Sequence, residues 1–437
     1  MFARSSLARG LHQCCAKATP SARRGMAAAA INPFHYFVGD ASGVKVASRD
    51  DNGPTTSLAV VVRGGSRYQP APGVAQGLAG YAFKNTTKRS ALRLQREAEL
   101  LGGSLSSYLS RENIVLKAKF LRNDLPYFVE ALGEVLSKTK FLPYEFNEEI
   151  APALAEELAV YSRDPAAIAY EHAHNVAFHT GLGGHKLSMS PKFPTAHLIP
   201  SYAKQVYQKG NIAVVASGAP QAELEKWTSQ FFADVPQGNG ISSPATKYFG
   251  GENRIYGARG DSLVIAFPGS QGGPSFKAEY IVLSYLLGGQ SGTKWNAGTS
   301  ILSQAVNQMT DVKAVAQHVA YSDAGLLSVT ITGPHESLQK AGEEVVKGIN
   351  SLTTVKAEDM RKAIAQAKFD VLSGAEDRSH GLELVGQSVI ASGKAPRSSK
   401  LSRLWRAAKA LLDSRATFTA VGDLHNLPFA SDIGLKA

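Results

Sequence analysis

The side chains of this sequence that could bind a metal ion are concentrated in one short stretch. His172, His174 and His179 lie close together, and Glu171 stands beside them. Imidazole and carboxylate are usual protein ligands of zinc, so a metal site is one interpretation of this stretch. No second carboxylate pattern accompanies the histidines. Ordinary surface or capping histidines are therefore the favoured interpretation, and the metal site stays open as the alternative.

Nucleophilic catalysis finds no support in the residue types present. The two cysteines, Cys14 and Cys15, lie near the N-terminus, and no serine stands in a G-x-S-x-G turn that would expose it as a nucleophile. Residues 288–292 are rich in glycine but lack the spacing of a phosphate-binding loop, which favours a loop or helix end. If the N-terminal segment is removed, the mature chain has no disulfide, no cysteine-ligated zinc or iron–sulfur cluster and no c-type haem.

The N-terminal segment has the composition of a targeting signal. Residues 1–30 contain five basic residues and no Asp or Glu, and apolar residues recur at Phe2, Leu7 and Leu11. The continuous apolar stretch of a secretory signal is absent, so the pattern predicts a mitochondrial transit peptide over 1–30. Residues 23–26, which include Arg24 and Gly25, resemble a processing site with an arginine two residues before the cut, so cleavage is expected near Gly25 or slightly upstream. A basic tail that stays attached is the alternative.

Charge and hydropathy exclude two broad classes of protein. The chain has 437 residues and a net charge of +11, which falls to +6 (11 − 5) without the five basic residues of the leader. No stripe of Lys and Arg interleaved with aromatic residues remains, so nucleic-acid binding is not expected. No apolar run reaches the roughly 18 residues of a membrane-spanning helix, so any membrane association is predicted to be peripheral.

The order of predicted elements occurs twice, at a spacing of about 205 residues. In each copy an apolar strand runs into a glycine- and proline-containing turn, a helix and a pair of strands follow, and an amphipathic helix with apolar residues at i, i+3, i+4 and i+7 comes next. The predicted strands are 57–63, 104–109 and 113–121 in the first copy and 262–267, 312–320 and 325–332 in the second.

Each copy ends in the same way. Two further helices are predicted at 145–162 and 166–178, and again at 356–373 and 379–391, and a short apolar strand closes each copy at 211–217 and 417–421. Strands and helices grouped in blocks predict an α+β fold, with a largely antiparallel sheet packed with helices in each copy. We therefore expect two duplicated domains, 31–235 and 247–437, joined by a linker at 236–246 and enclosing a cleft.

One segment carries a specific resemblance. Residues 73–86 read Gly-Val-Ala-Gln-Gly-Leu-Ala-Gly-Tyr-Ala-Phe-Lys-Asn-Thr, and they follow Arg-Gly-Gly-Ser-Arg-Tyr at 63–68. This resembles the start of the inverted-zinc metallopeptidase family that includes pitrilysin, insulysin and the mitochondrial processing peptidase. Active members carry H-x-x-E-H at this place, where two histidines hold zinc and the glutamate activates its bound water.

The resemblance implies a degenerate zinc site. Gln76 stands where the family has its first histidine, Ala79 where it has the catalytic glutamate, and Gly80 where it has the second histidine. Glu156 or Glu157 remains near the position of the distal ligand. A zinc ion normally needs three protein ligands, so we expect no bound metal, no cofactor and no peptidase activity.

The resemblance is compatible with two functions. Residues 321–326 (Tyr-Ser-Asp-Ala-Gly-Leu) resemble a stretch shared by the family, and residues 422–429 (Gly-Asp-Leu-His-Asn-Leu-Pro-Phe) resemble the C-terminus of one member. That likeness implies a non-catalytic core subunit of mitochondrial respiratory complex III, paired with a second core subunit on the matrix side of the inner membrane. The alternative is the non-catalytic α subunit of the processing peptidase, which binds presequences.

Overall fold

Two β-sheets form one after the other along the chain. The computed structural model describes residues 35–436 apart from 189–195, 258, 290–297, 299, 308, 310, 378, 380 and 396–403. The predicted transit peptide, with Cys14, Cys15, Arg24 and Gly25, thus lies outside the described residues. The strands of the two sheets are β1 (Phe37–Ala41), β2 (Val44–Arg49), β3 (Thr55–Arg63), β4 (Ser104–Leu109), β5 (Asn113–Leu121) and β6 (Ile212–Ser217), then β7 (Gly251–Tyr256), β8 (Asp261–Pro268), β9 (Lys313–Ala320), β10 (Gly325–Gly333) and β11 (Thr417–Gly422).

The two sheets share one topology. The first has the order β1-β2-β6-β3-β5-β4 and the second the order β7-β11-β8-β10-β9. Among the described strands, each sheet has one parallel pair, β2 with β6 and β7 with β11, and the other neighbouring strands are antiparallel. When β1 is set aside, the strand orders and the position of the parallel pair coincide. The duplication and the largely antiparallel α+β fold predicted from the sequence are confirmed.

The helices fill the connections between strands. A π-helical turn at Phe146–Ile150 joins the fourth helix to the fifth. The helices are α1 (Val74–Gly80), α2 (Ala91–Leu100), α3 (Leu125–Lys138), α4 (Pro143–Glu145), α5 (Ala151–Tyr161), α6 (Pro165–Phe178), α7 (Ile199–Val206), α8 (Gln221–Phe231), α9 (Glu279–Leu287), α10 (Ile301–Val306), α11 (His335–Asn350), α12 (Ala357–Glu376), α13 (Leu382–Ser392) and α14 (Leu404–Leu412).

The central strand of the first sheet is buried on both faces. Alternate side chains of a strand point to opposite faces of its sheet, and every residue from Thr56 to Val62 is buried. Leu58, Val60 and Val62 belong to a core that includes residues of α1 and α3. Ala59 and Val61 belong to a second core, on the other face. A continuous apolar run is therefore expected here, because both faces are covered.

The second face of each sheet is covered by a helix from the other half of the chain. On the first sheet, Leu382, Val385 and Val389 of α13 pack against Val61 and its neighbours. The backbones approach so closely that a Cβ at Gly386 would lie 2.5 Å from Val61 Cγ2.

The second sheet is covered in the same way by a helix from the first half of the chain. Ala169, Ala173 and Ala177 of α6 pack against Val264 and Ala266 of β8.

The boundary at 236–246 remains a prediction. Residues 236–250 contain neither helix nor strand, yet α6 lies before this segment and packs on the sheet that follows it. No helix in the described part of the chain is long and apolar enough to cross a membrane.

Candidate functional site

The helix that would carry a zinc motif is short and almost entirely buried. Gly73 precedes α1 with φ +89°, a left-handed conformation that glycine adopts without strain. Six of the seven residues of α1 are buried, and only the last, Gly80, is partly exposed. The positions at which the family binds zinc therefore face packed protein in this chain.

Gln76 is held by two hydrogen bonds at the first of these positions. Its Nε2 donates to Glu157 Oε2 at 2.8 Å, and its Oε1 accepts from the backbone N–H of Ser188 at 3.1 Å. The side chain is 4% exposed, so an unpaired amide there would be costly. Both predicted carboxylates are exposed on α5, and the structure brings only Glu157 of the two to Gln76.

The other two positions offer neither a ligand nor space for one. Ala79 is 7% exposed, and its carbonyl oxygen accepts a hydrogen bond from Ser107 Oγ at 2.9 Å. A Cβ placed on Gly80 would lie 2.7 Å from Ile150 Cγ2, which is closer than real side chains approach. The hydrogen bond from Gln76 to Glu157 links α1 to α5. The side chains at 76, 79 and 80 cannot activate water.

The predicted histidine cluster does not converge on one point. His172 contacts His185 with ring centroids 5.0 Å apart, whereas His179 stacks on Phe249 with centroids 4.0 Å apart. Burial, followed by the charge of His185, lowers the pKa of His172. Within the described residues no group of three or more His, Cys, Asp or Glu side chains is arranged to hold a metal ion. The alternative of a metal site around Glu171 is therefore not supported there.

His174 has a structural role that its sequence position did not reveal. It is fully buried, with Nδ1 2.9 Å from the Tyr170 carbonyl oxygen and Nε2 2.8 Å from Tyr321 Oη. Because a carbonyl oxygen can only accept, Nδ1 carries the proton and Nε2 accepts from the tyrosine. Burial, with the charge of Arg111 next, lowers the pKa of His174 well below its ordinary value. This neutral imidazole links α6 to the β9–β10 turn.

A buried ion cluster lies where the two halves of the chain meet. Arg67 pairs with Glu112 of the β4–β5 turn at 2.8 Å and with Asp323 of the β9–β10 turn at 2.7 Å. The side chains of Arg67 and Glu112 are 3% and 4% exposed. Ser322 also donates to Glu112 from its backbone N–H at 2.8 Å, and Gln387 of α13 donates to the same carboxylate. We call this group the inter-half cluster.

The electrostatics of the inter-half cluster keep Arg67 and Asp323 ionised. Burial alone would raise the pKa of Asp323, but hydrogen bonds from Arg67 and Thr246 hold it below its ordinary value. Burial would likewise lower the pKa of Arg67, and its acidic partners raise it instead. A second buried pair, Arg111 with Glu171 at 2.8 Å, joins the β4–β5 turn to α6.

The sequence held a partial signal for this cluster. Arg67 and Asp323 both lie in stretches that resemble the family, at 63–68 and 321–326. Nothing in either stretch indicated that the two side chains would meet. Next to the cluster, a cavity of about 370 Å³ is lined by Arg67, Tyr68, Phe178 and residues of the segment 241–249.

Comparison with known families agrees with both halves of the fold. Over residues 45–189 the sequence matches the family described as Insulinase (Peptidase family M16). Over residues 195–367 it matches the family described as Peptidase M16 inactive domain.

Similar proteins extend over the whole chain. The sequence is 46% identical to the cytochrome b-c1 complex subunit 2, mitochondrial, of Neurospora crassa, over 100% of both chains. It is 37% identical to the protein of the same name from Yarrowia lipolytica, over 94% of this chain and 99% of the relative. It is 25% identical to the mitochondrial-processing peptidase subunit alpha-2 of Dictyostelium discoideum, over 89% and 91% of the two chains.

Proposed function

Because this chain belongs to the insulinase family of peptidases, family M16, we propose that it is a non-catalytic core subunit of mitochondrial ubiquinol–cytochrome c reductase, respiratory complex III. In this role it supports the assembly and stability of a complex of the electron-transport chain. The packed state of the zinc position supports the non-catalytic part of this proposal, because Gln76 is hydrogen-bonded to Glu157 and Ser188 and Gly80 has no room for a ligand. The similarity to complex III subunits over the full chain carries the rest.

The similarity to complex III subunits supports this role over presequence binding. A relative named as subunit 2 is 46% identical over the full chain, whereas two relatives named as processing-peptidase α subunits are 25% identical. Loss of the zinc ligands is compatible with either role. The difference in similarity therefore decides between them.

We propose Core protein 1 and other complex III subunits as partners, on the matrix side of the inner membrane. In this proposal the chain is attached to the membrane complex through protein contacts. Four large apolar side chains on α12 and α13 are more than half exposed and are available to such contacts. They are Phe369 at 68%, Val371 at 57%, Leu372 at 51% and Leu384 at 56%.

Native electrophoresis tests the proposed function. Mitochondria solubilised in mild detergent are expected to release this chain together with the haem-containing complex III. A control lane in which complex III is dissociated should shift the chain to lower mass. Migration with a soluble peptidase heterodimer in the first lane would overturn the proposal and support the processing-peptidase alternative.

The purified chain is expected to hold far less than one zinc ion per molecule and to hydrolyse no peptide. The reason is that ligand and water-activating groups are absent at positions 76, 79 and 80. Elemental analysis after mild chelation measures the metal, with an active zinc peptidase of the same family as the standard. One zinc per chain that survives the chelator would contradict the expectation.

A further inference from the structure

A small polar pocket lies on the first sheet beside the start of α13. It has a volume of about 140 Å³, and its walls come from β3, β4 and β5 of the first half and from Ser379 and Leu382 of the second. The pocket therefore exists only where the two halves meet. Nothing in the proposed function assigns it a ligand.

The strand register brings basic and hydroxyl side chains side by side. Lys119 of β5 is paired with Ser57 of β3 and with Ser104 of β4. Lys117, two residues earlier and on the same face, is paired with Ser106 of β4. The pocket is thus a polar patch at the start of α13. Other polar contacts lie beneath the same helix, since Tyr108, Ser110 and Asn113 donate hydrogen bonds to Glu383 of α13.

The charge of this patch is not balanced within its walls. The pocket is lined by Ser57, Leu58, Ser104, Ser106, Lys117, Ala118, Lys119, Ser379 and Leu382, which include two lysines, four serines and no carboxylate. Among the described ion pairs, which reach to 4.0 Å, neither Lys117 nor Lys119 has an acidic partner. Lys117 Nζ contacts the Ser379 carbonyl oxygen at 3.3 Å and lies 5.0 Å from the centre of the Tyr108 ring.

Hydroxyls complete the donor set: Ser57 is buried, Ser379 is partly buried, and Ser104 and Ser106 are exposed. Ser57 is 3% exposed, and its Oγ is 3.2 Å from Ser379 Oγ, so one of the two hydroxyls donates and the other keeps a proton to donate elsewhere. Ammonium groups and hydroxyls are among the side chains that bind a phosphoryl group, the ammonium through charge-assisted hydrogen bonds.

We propose that this pocket binds one phosphoryl group, either as free inorganic phosphate or as the headgroup of a lipid. Lys117 and Lys119 supply the charge, and Ser57, Ser104 and Ser106 supply hydroxyl donors. Because Ser379 and α13 come from the second half, the bound anion also links the two halves.

Phosphorus NMR titration of the full chain with inorganic phosphate, in a phosphate-free buffer, tests the proposal. We expect saturable binding of one phosphate per chain. The variant K117Q/K119Q should weaken it by at least roughly tenfold, because charge-assisted hydrogen bonds are lost. The matched control K313Q/K340Q removes two exposed lysines elsewhere and should change the affinity by less than about twofold.

A second variant and a second probe keep the outcome decisive. Ser104→Asp retains both lysines and places a carboxylate in the pocket, so it should also abolish binding while circular dichroism stays unchanged. Binding to phosphatidylglycerol vesicles but not to free phosphate, lost in K117Q/K119Q, would identify a lipid headgroup as the source. Absence of both interactions, or equal binding by K117Q/K119Q and its control, would overturn the proposal.

Discussion

Replacing Arg67 with alanine is expected to lower the free energy of unfolding by about 3–5 kcal/mol, because it leaves an uncompensated buried charge. Glu112 is 4% exposed and would lose its only cationic partner within the inter-half cluster. The hydrogen bonds from Ser322 and Gln387 would remain, but they do not neutralise the carboxylate. Chemical denaturation of the full chain, followed by circular dichroism, measures the loss.

Arg93→Ala is the matched control for this prediction. Its partner Glu97 is four residues away on α2, and the Arg93 side chain is 62% exposed. Such a surface pair contributes no more than about 1 kcal/mol. The double variant R67M/E112Q removes both charges and should recover much of the stability lost in R67A. Equal losses for Arg67→Ala and Arg93→Ala would show that the inter-half cluster does not stabilise the fold.

The second large effect is expected at the zinc position. Gly80→His should lower the free energy of unfolding by about 1–3 kcal/mol through overpacking, because the new Cβ lies 2.7 Å from Ile150 Cγ2. Removing a glycine from a helix gains at most about 1 kcal/mol, so the clash outweighs this gain. Denaturation of the single variant measures the net effect.

A double-mutant cycle distinguishes this clash from a general effect of histidine. In an Ile150→Ala background, Gly80→His should cost less than in the native chain, since the methyl group that it meets is gone. The same cost in both backgrounds would contradict the steric explanation. The triple variant Q76H/A79E/G80H is therefore not expected to regain zinc without further changes around Ile150.

The sequence predicted most central elements because their patterns are local. β4 and β5 have the predicted bounds, and β3 and β8 extend beyond them by at most two residues. β1, β2 and β7 were not predicted. β1 and β7 are edge strands, and Phe37 of β1 and Tyr256 of β7 are more than half exposed, so their patterns lack a buried apolar run.

The partners of α6 and α13 could not be predicted in the same way. Both helices are apolar on more than one side, which indicates burial but does not say against which sheet. Which sheet a helix packs against depends on shape complementarity between residues far apart in sequence, such as Gly386 and Val61. The periodicity of a single segment cannot predict a contact of this kind.

The candidate site was predicted by residue type and not by interaction. The residues at 76, 79 and 80 indicated the loss of a metal. They did not indicate that Gln76 would bind Glu157, the carboxylate near the distal ligand position. The inter-half cluster is also a long-range feature, since Arg67 and Asp323 are far apart in sequence.

The exchange of helices has a consequence for how the chain matures. Val61 and Val215 leave the ribosome, and would enter an organelle, long before Leu382 and Val389 arrive to cover them. Until then the first sheet has an exposed apolar face, and such a surface promotes aggregation and binds chaperones. A first half made alone would lack α13, and a second half made alone would lack α6, so we expect the two halves to fold as one unit although the architecture is duplicated.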